Sequence, residues 1–128
     1  MAKILLVEDE ITVLDTIAGS LRDAGFEVMA AQDGAEALKM LLSEKPDLAI
    51  IDIILPKVDG WRVAEKLKVG PESAKVPVIM LSAIVAQEGK PEDWEIGDFY
   101  FSKPVNFEAL LKKIREMLED TRPEPEAK

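Results

Sequence analysis

The sequence predicts a doubly wound α/β fold built on one parallel sheet, and two observations carry that expectation. First, short apolar runs recur five times: Ile4-Leu5-Leu6-Val7, Phe26-Glu27-Val28-Met29-Ala30, Leu48-Ala49-Ile50-Ile51, Val76-Pro77-Val78-Ile79-Met80-Leu81 and Phe99-Tyr100-Phe101. The first, third and fourth are nearly continuous rather than alternating, the pattern of strands covered on both faces. Second, amphipathic stretches with helical spacing lie between them. Right-handed crossovers then put helices on both sides of the sheet. At 128 residues the chain makes one domain, long enough to bury a core without disulfides or a structural metal.

The helices follow in order. Ile11, Leu14, Ala18 and Leu21 fall at spacings of three and four, and Gly25 closes that helix. Ala37, Leu38, Leu41 and Leu42 form a second stripe, with Asp33 as its N-cap and Pro46 beyond its end. Val63, Ala64 and Leu67 form a third. The last and clearest stripe is Phe107, Leu110, Leu111, Ile114, Met117 and Leu118, with Asn106 placed to cap it. Between the fourth and fifth strands the rhythm breaks. Gly89, Pro91 and Gly97 leave room for only a short or irregular fourth helix. The expected domain covers residues 1–120. Residues 121–128 carry little to bury and are expected to be a disordered tail or the start of a linker.

Composition removes several kinds of chemistry. The chain has no cysteine, which excludes disulfides, thiolate metal sites and cysteine nucleophiles. It has no histidine, which excludes Ser-His-Asp catalysis and imidazole-based zinc sites. Sixteen Lys+Arg against 25 Asp+Glu give a net charge of −9. That sign disfavours direct binding to nucleic acid or an anionic membrane and suits a bound cation or a basic partner. The opening apolar run is too short for a signal peptide core or a membrane span, so a cytoplasmic location is expected.

In an open parallel sheet, ligands bind beyond the carboxyl ends of the strands. Glu8-Asp9-Glu10 follows the first strand, Asp52 ends the third, Ser82 the fourth and Lys103 the fifth. Clustered carboxylates repel one another unless a cation sits among them. An all-oxygen donor set with positions left for water and phosphate suits Mg²⁺. Lys103 and Ser82 are then poised for incoming phosphoryl oxygens, and Asp52 is the natural nucleophile, since a carboxylate can form an aspartyl phosphate. Each feature alone has a plainer account: an acidic run at a helix start favoured by the helix dipole, an Asp capping a turn, a serine N-cap, an ordinary Lys-Pro loop. All four at the same end of successive strands is the less accidental pattern.

From about Lys3 to Leu118 the chain resembles a receiver domain of the bacterial response-regulator family. The resemblance is carried by Lys3-Ile4-Leu5-Leu6-Val7-Glu8-Asp9-Glu10, by Asp52-Ile53-Ile54-Leu55-Pro56-Lys57-Val58-Asp59-Gly60, by Ser82-Ala83 and by Tyr100-Phe101-Ser102-Lys103-Pro104. It implies a flavodoxin-like (βα)5 sandwich with strand order 2-1-3-4-5 and a cis peptide at Lys103–Pro104. It implies that Asp52 accepts a phosphoryl group from a phosphohistidine on a sensor kinase or phosphotransfer protein. Asp9 and Asp52 would bind Mg²⁺ directly, Glu8 through water, and the backbone carbonyl of Ile54 would be a further ligand. Ser82 would hydrogen-bond the phosphoryl oxygens. Lys103 would pair with Asp52 and then with the phosphoryl group, and Tyr100 would switch between exposed and buried states.

The chain departs from the family pattern between Ser82 and Lys103. That span is about one residue shorter than is common, and Ile96-Gly97-Asp98 replaces the usual Gly-Ala-Asp. These changes leave the phosphorylation chemistry intact and put the usual dimer face in doubt, so the oligomeric state stays open. The downstream effector is unspecified. Two other functions stay in view: a Mg²⁺-dependent phosphatase with Asp52 as nucleophile, and a receiver-fold interaction module that is not phosphorylated. The first lacks the second Asp such enzymes place two residues on, where Ile54 stands. The second would need a damaged acidic cluster.

Overall fold

The computed structural model describes residues 2–53, 55, 60–70, 73–82 and 98–121. Five strands form one parallel sheet: β1 (Lys3–Val7), β2 (Glu27–Ala31), β3 (Leu48–Asp52), β4 (Val78–Ser82) and β5 (Phe99–Ser102). Their order is β2-β1-β3-β4-β5, with every neighbouring pair parallel, as the family resemblance implied. Among the described residues, four α-helices accompany them: α1 (Ile11–Asp23), α2 (Gly34–Ser43), α3 (Gly60–Val69) and α4 (Phe107–Thr121). α4 is thus the helix after β5. The short fourth helix expected between β4 and β5 lies outside the described residues. Of the tail expected at 121–128, Thr121 is the last residue of α4, and residues 122–128 lie outside the described residues.

The continuous apolar strands split their side chains between two cores, because successive residues of a strand point to opposite faces. Ile4 and Leu6 of β1, Leu48 and Ile50 of β3, and Ile79 and Leu81 of β4 pack under α1 and α4. Leu5, Val7, Ala49, Ile51, Val78 and Met80 pack under α2 and α3. Both faces are therefore dry, and each large side chain so buried contributes about 1.5–3 kcal/mol.

The helix boundaries obey local chemistry. The Asp33 carboxylate accepts a hydrogen bond from the Glu36 backbone N–H at 2.8 Å, and the Glu36 side chain accepts one from the Gln32 N–H at 2.9 Å, which closes the start of α2. Asn106 accepts from the Ala109 N–H at 3.0 Å and caps α4. Gly25 takes a φ of +102° just past α1, a conformation that favours glycine. One expectation is corrected. Ile11 is 52% exposed, and Ile17, at 6%, joins Leu14, Ala18 and Leu21 in the buried stripe. Both sets satisfy spacings of three and four; packing against β1 selects the second.

Among the described residues, no helix is long and apolar enough to cross a membrane.

Candidate functional site

The carboxyl ends of β1, β3, β4 and β5 converge because the register leaves them level. Val7 pairs with Ile51, Asp52 with Leu81, and Ser82 with Ser102. The residues that follow therefore emerge along one edge. Backbone bonds continue the sheet past the strands: the Glu8 N–H donates to Ala31 O, the Ile53 N–H to Leu81 O and the Lys103 N–H to Ser82 O, at 2.9–3.0 Å. These bonds fix the peptides on which the site residues sit.

Glu8, Asp9 and Asp52 each offer a carboxylate oxygen, and these oxygens lie within 4.8 Å of one another. Glu8 is fully buried, Asp52 is 4% exposed and Asp9 is exposed to solvent. Lys103 bridges the buried pair. Its Nζ donates to Asp52 Oδ2 at 2.7 Å and to Glu8 Oε2 at 3.2 Å, and lies 2.9 Å from Glu8 Oε1. Ser82, 1% exposed, ends the adjacent strand. The sequence-predicted residues Glu8, Asp9, Asp52, Ser82 and Lys103 thus gather at one end of the sheet. Ile54, expected as a carbonyl ligand, lies outside the described residues. The Lys103–Pro104 peptide is cis, as expected.

The electrostatics follow from burial. Desolvation pushes the Glu8 carboxyl above its ordinary range, against the Lys103 and Glu10 N–H hydrogen bonds that favour its charged form. Burial alone would lower the Lys103 ammonium; hydrogen bonds to Asp52 and Glu8 more than offset it, and its pKa stands above the usual value. Glu8 Oε1, although close to Lys103, accepts no hydrogen bond. Such a buried acceptor is costly unless something positive faces it, and the Lys103 ammonium does so at 2.9 Å. Three carboxylates held this close, one of them fully buried, form a donor set that fits a hard divalent cation such as Mg²⁺.

Tyr100 lies on the opposite face of the sheet from Phe101, fully buried, with its ring centroid 6.1 Å from that of Trp61 at the start of α3. Burial, with the nearby Asp98 charge, pushes its phenol up to about 12. The folded chain therefore keeps this proton in a range where the unfolded chain releases it near 10. More protons bound in the native state mean that stability falls as pH rises from 10 to 12. Because the chain has one tyrosine, ultraviolet titration of phenolate absorbance will give a single transition near 12. In denaturant the transition will move down to about 10.

Two features of this region were not anticipated. Glu8 bonds Lys103 directly, where only an indirect metal role was expected of it. Gly60 is buried against the backbone of Asp52 and Ile53; its signal in the sequence is a glycine closing the segment that begins at Asp52.

A model of the response regulator receiver domain matches residues 4–115 of the chain. The chain belongs to this family. The receiver is 34% identical over 128 residues to the DNA-binding dual master transcriptional regulator RpaA of Synechocystis, covering 99% of this chain and 53% of that protein. It is 36% identical over 117 residues to the alkaline phosphatase synthesis transcriptional regulatory protein PhoP of Bacillus subtilis, covering 91% of this chain and 48% of that protein. The receiver thus spans about half the length of these relatives. Among solved structures, the signal receiver domain of a histidine kinase from Syntrophus aciditrophicus superposes with a TM-score of 0.84 at 25% identity, covering 100% of this chain and 98% of that one. The response regulator TrrA of Thermotoga maritima, solved in complex with Mg²⁺ and BeF, gives 0.78 at 30% identity, covering 91% and 99%.

Proposed function

We propose that this receiver accepts a phosphoryl group on Asp52 from a phosphohistidine of a sensor kinase or phosphotransfer protein, and that a downstream effector reads the change. The observation that carries the proposal is the buried Glu8–Lys103–Asp52 arrangement with Asp9 beside it. An Asp52 carboxylate oxygen forms the new P–O bond as the P–N bond of the donor breaks, and the donor imidazole leaves. Mg²⁺ bound among Glu8, Asp9 and Asp52 would neutralise charge on the transferring oxygens. Ile54 would add its carbonyl to that set. Lys103 needs no proton transfer to act: its ammonium is already 2.7 Å from the nucleophile and can follow the charge onto the phosphoryl group. Ser82 would offer its hydroxyl to another oxygen.

The added charge, almost two units, falls at a buried strand end. Movement of Ser82 toward it would change the packing around Tyr100, and the surface beyond β4 and β5 would respond. The Mg²⁺–BeF complex of the related TrrA supports the same chemistry here. We place the receiver in the cytoplasm, as a signalling module that modifies itself rather than turning over a separate substrate. The phosphatase alternative is disfavoured by Ile54 in place of a second acid. The unphosphorylated module is disfavoured by an intact cluster.

Incubation with Mg²⁺ and acetyl phosphate tests the proposal. Intact mass and peptide mapping are expected to give one phosphoryl group, on Asp52. No uptake, or uptake elsewhere, would overturn it.

A further inference from the structure

α3 begins where β3 ends, and the two meet without a side chain between them. The Gly60 N–H donates to Ile53 O at 2.8 Å. A Cβ built at Gly60 would overlap the Asp52 carbonyl oxygen, and would lie 2.7 Å from Ile53 Cα and 2.8 Å from the Asp52 carbonyl carbon. The neighbours it would meet are backbone, so no rotamer change could relieve the overlap. Gly60 takes no left-handed conformation, so its requirement is for space.

The peptide beneath it is the one that joins Asp52 to Ile53. Its N–H is held by Leu81 O of β4 at 2.9 Å, and its carbonyl lies against Gly60. That peptide is therefore gripped from β4 on one side and from the first turn of α3 on the other. The Asp52 side chain leaves the chain one bond away, with Oδ2 2.7 Å from Lys103. In-line phosphoryl transfer depends on placing the nucleophile, and an error of about 1 Å can cost on the order of 100-fold in rate.

We infer that Gly60 is a positioning residue for phosphoryl uptake, a role that rests on Asp52 being the phosphoacceptor. Its missing side chain lets α3 seat directly on the Asp52–Ile53 peptide and fix the direction of the carboxylate toward Lys103 and the acidic cluster. A methyl group there must lift α3 or push back the peptide, and either change re-aims Asp52.

The test compares Gly60→Ala with Leu67→Ala, which opens a cavity in the same helix away from Asp52. Both are studied with Mg²⁺ and acetyl phosphate at a temperature where far-ultraviolet circular dichroism matches the wild type. Gly60→Ala is expected to slow phosphorylation by about 10- to 100-fold and to shift the ¹⁹F resonances of bound beryllofluoride. Leu67→Ala should stay within about twofold and keep the wild-type ¹⁹F spectrum, because loss of packing alone does not re-aim the carboxylate. A Gly60→Ala protein with wild-type rate and spectrum would overturn the inference, as would equal slowing by Leu67→Ala. If Gly60→Ala does not fold, hydrogen exchange on the wild type decides. The Ile53 and Gly60 amides should gain protection together when Mg²⁺ and beryllofluoride bind; a gain at Ile53 alone would overturn the coupling. Wild-type protein that takes up neither phosphoryl group nor beryllofluoride would instead remove Asp52 as the acceptor, so the two failures are distinguishable.

Discussion

Asp52→Asn will abolish phosphoryl uptake while the fold survives. The amide that replaces the carboxylate is uncharged and a poor nucleophile, so the rate with acetyl phosphate should drop to background. Mg²⁺ affinity should fall at least about tenfold, since one of three clustered carboxylates loses its charge. Stability should change little. Lys103 loses its 2.7 Å partner but keeps Glu8, and Glu8 is relieved of a like charge that raises its pKa. Autoradiography with a labelled donor and a thermal melt check both halves. Residual phosphorylation of the variant at the wild-type rate would mean that another residue is the acceptor.

Lys103→Met should have the second largest effect, and on two quantities. Methionine fills the space but removes the ammonium that bridges Glu8, fully buried, and Asp52, nearly so. Removing one member of a buried ion pair costs about 3 kcal/mol, and phosphoryl uptake should slow at least about 100-fold because no ammonium follows the transferring charge. The stability deficit will depend on pH in a defined sense. The Glu8 carboxyl is already raised by desolvation, and without Lys103 it rises further. The native state then holds a proton that the unfolded chain has released, so the deficit grows as pH increases and shrinks toward acid. Millimolar Mg²⁺ should restore much of the loss, by supplying the positive charge that the site lacks. Denaturant melts at two pH values, with and without Mg²⁺, measure each part. A deficit that ignores both pH and Mg²⁺ would mean that Lys103 matters only for packing.

Much of this protein was legible before any coordinates. Burial on both faces of β1, β3 and β4 follows from continuous apolar runs, which cannot alternate inside and outside. Asp33 and Asn106 were readable as caps because helix N-termini need side-chain acceptors within a few residues. Asp52, Ser82 and Lys103 were readable as one site because parallel strands deliver their carboxyl ends to a common edge. These inferences are local, or depend only on the direction of the strands.

What remained depends on distance through space. Periodicity allowed Ile11 or Ile17 on the buried face of α1, and packing in the core shared with Ile4 and Leu6 selected Ile17. The direct Glu8–Lys103 contact joins residues 95 positions apart, and only the β1–β3–β4–β5 register makes them neighbours. The closeness of Gly60 to the Asp52 peptide is invisible to any pattern of side chains, because it consists of the absence of one. Sequence determined which groups the protein possesses and along which edge they emerge. Tertiary packing decided how closely they meet, since angstrom-scale separations between distant segments arise from many contacts that no local pattern encodes.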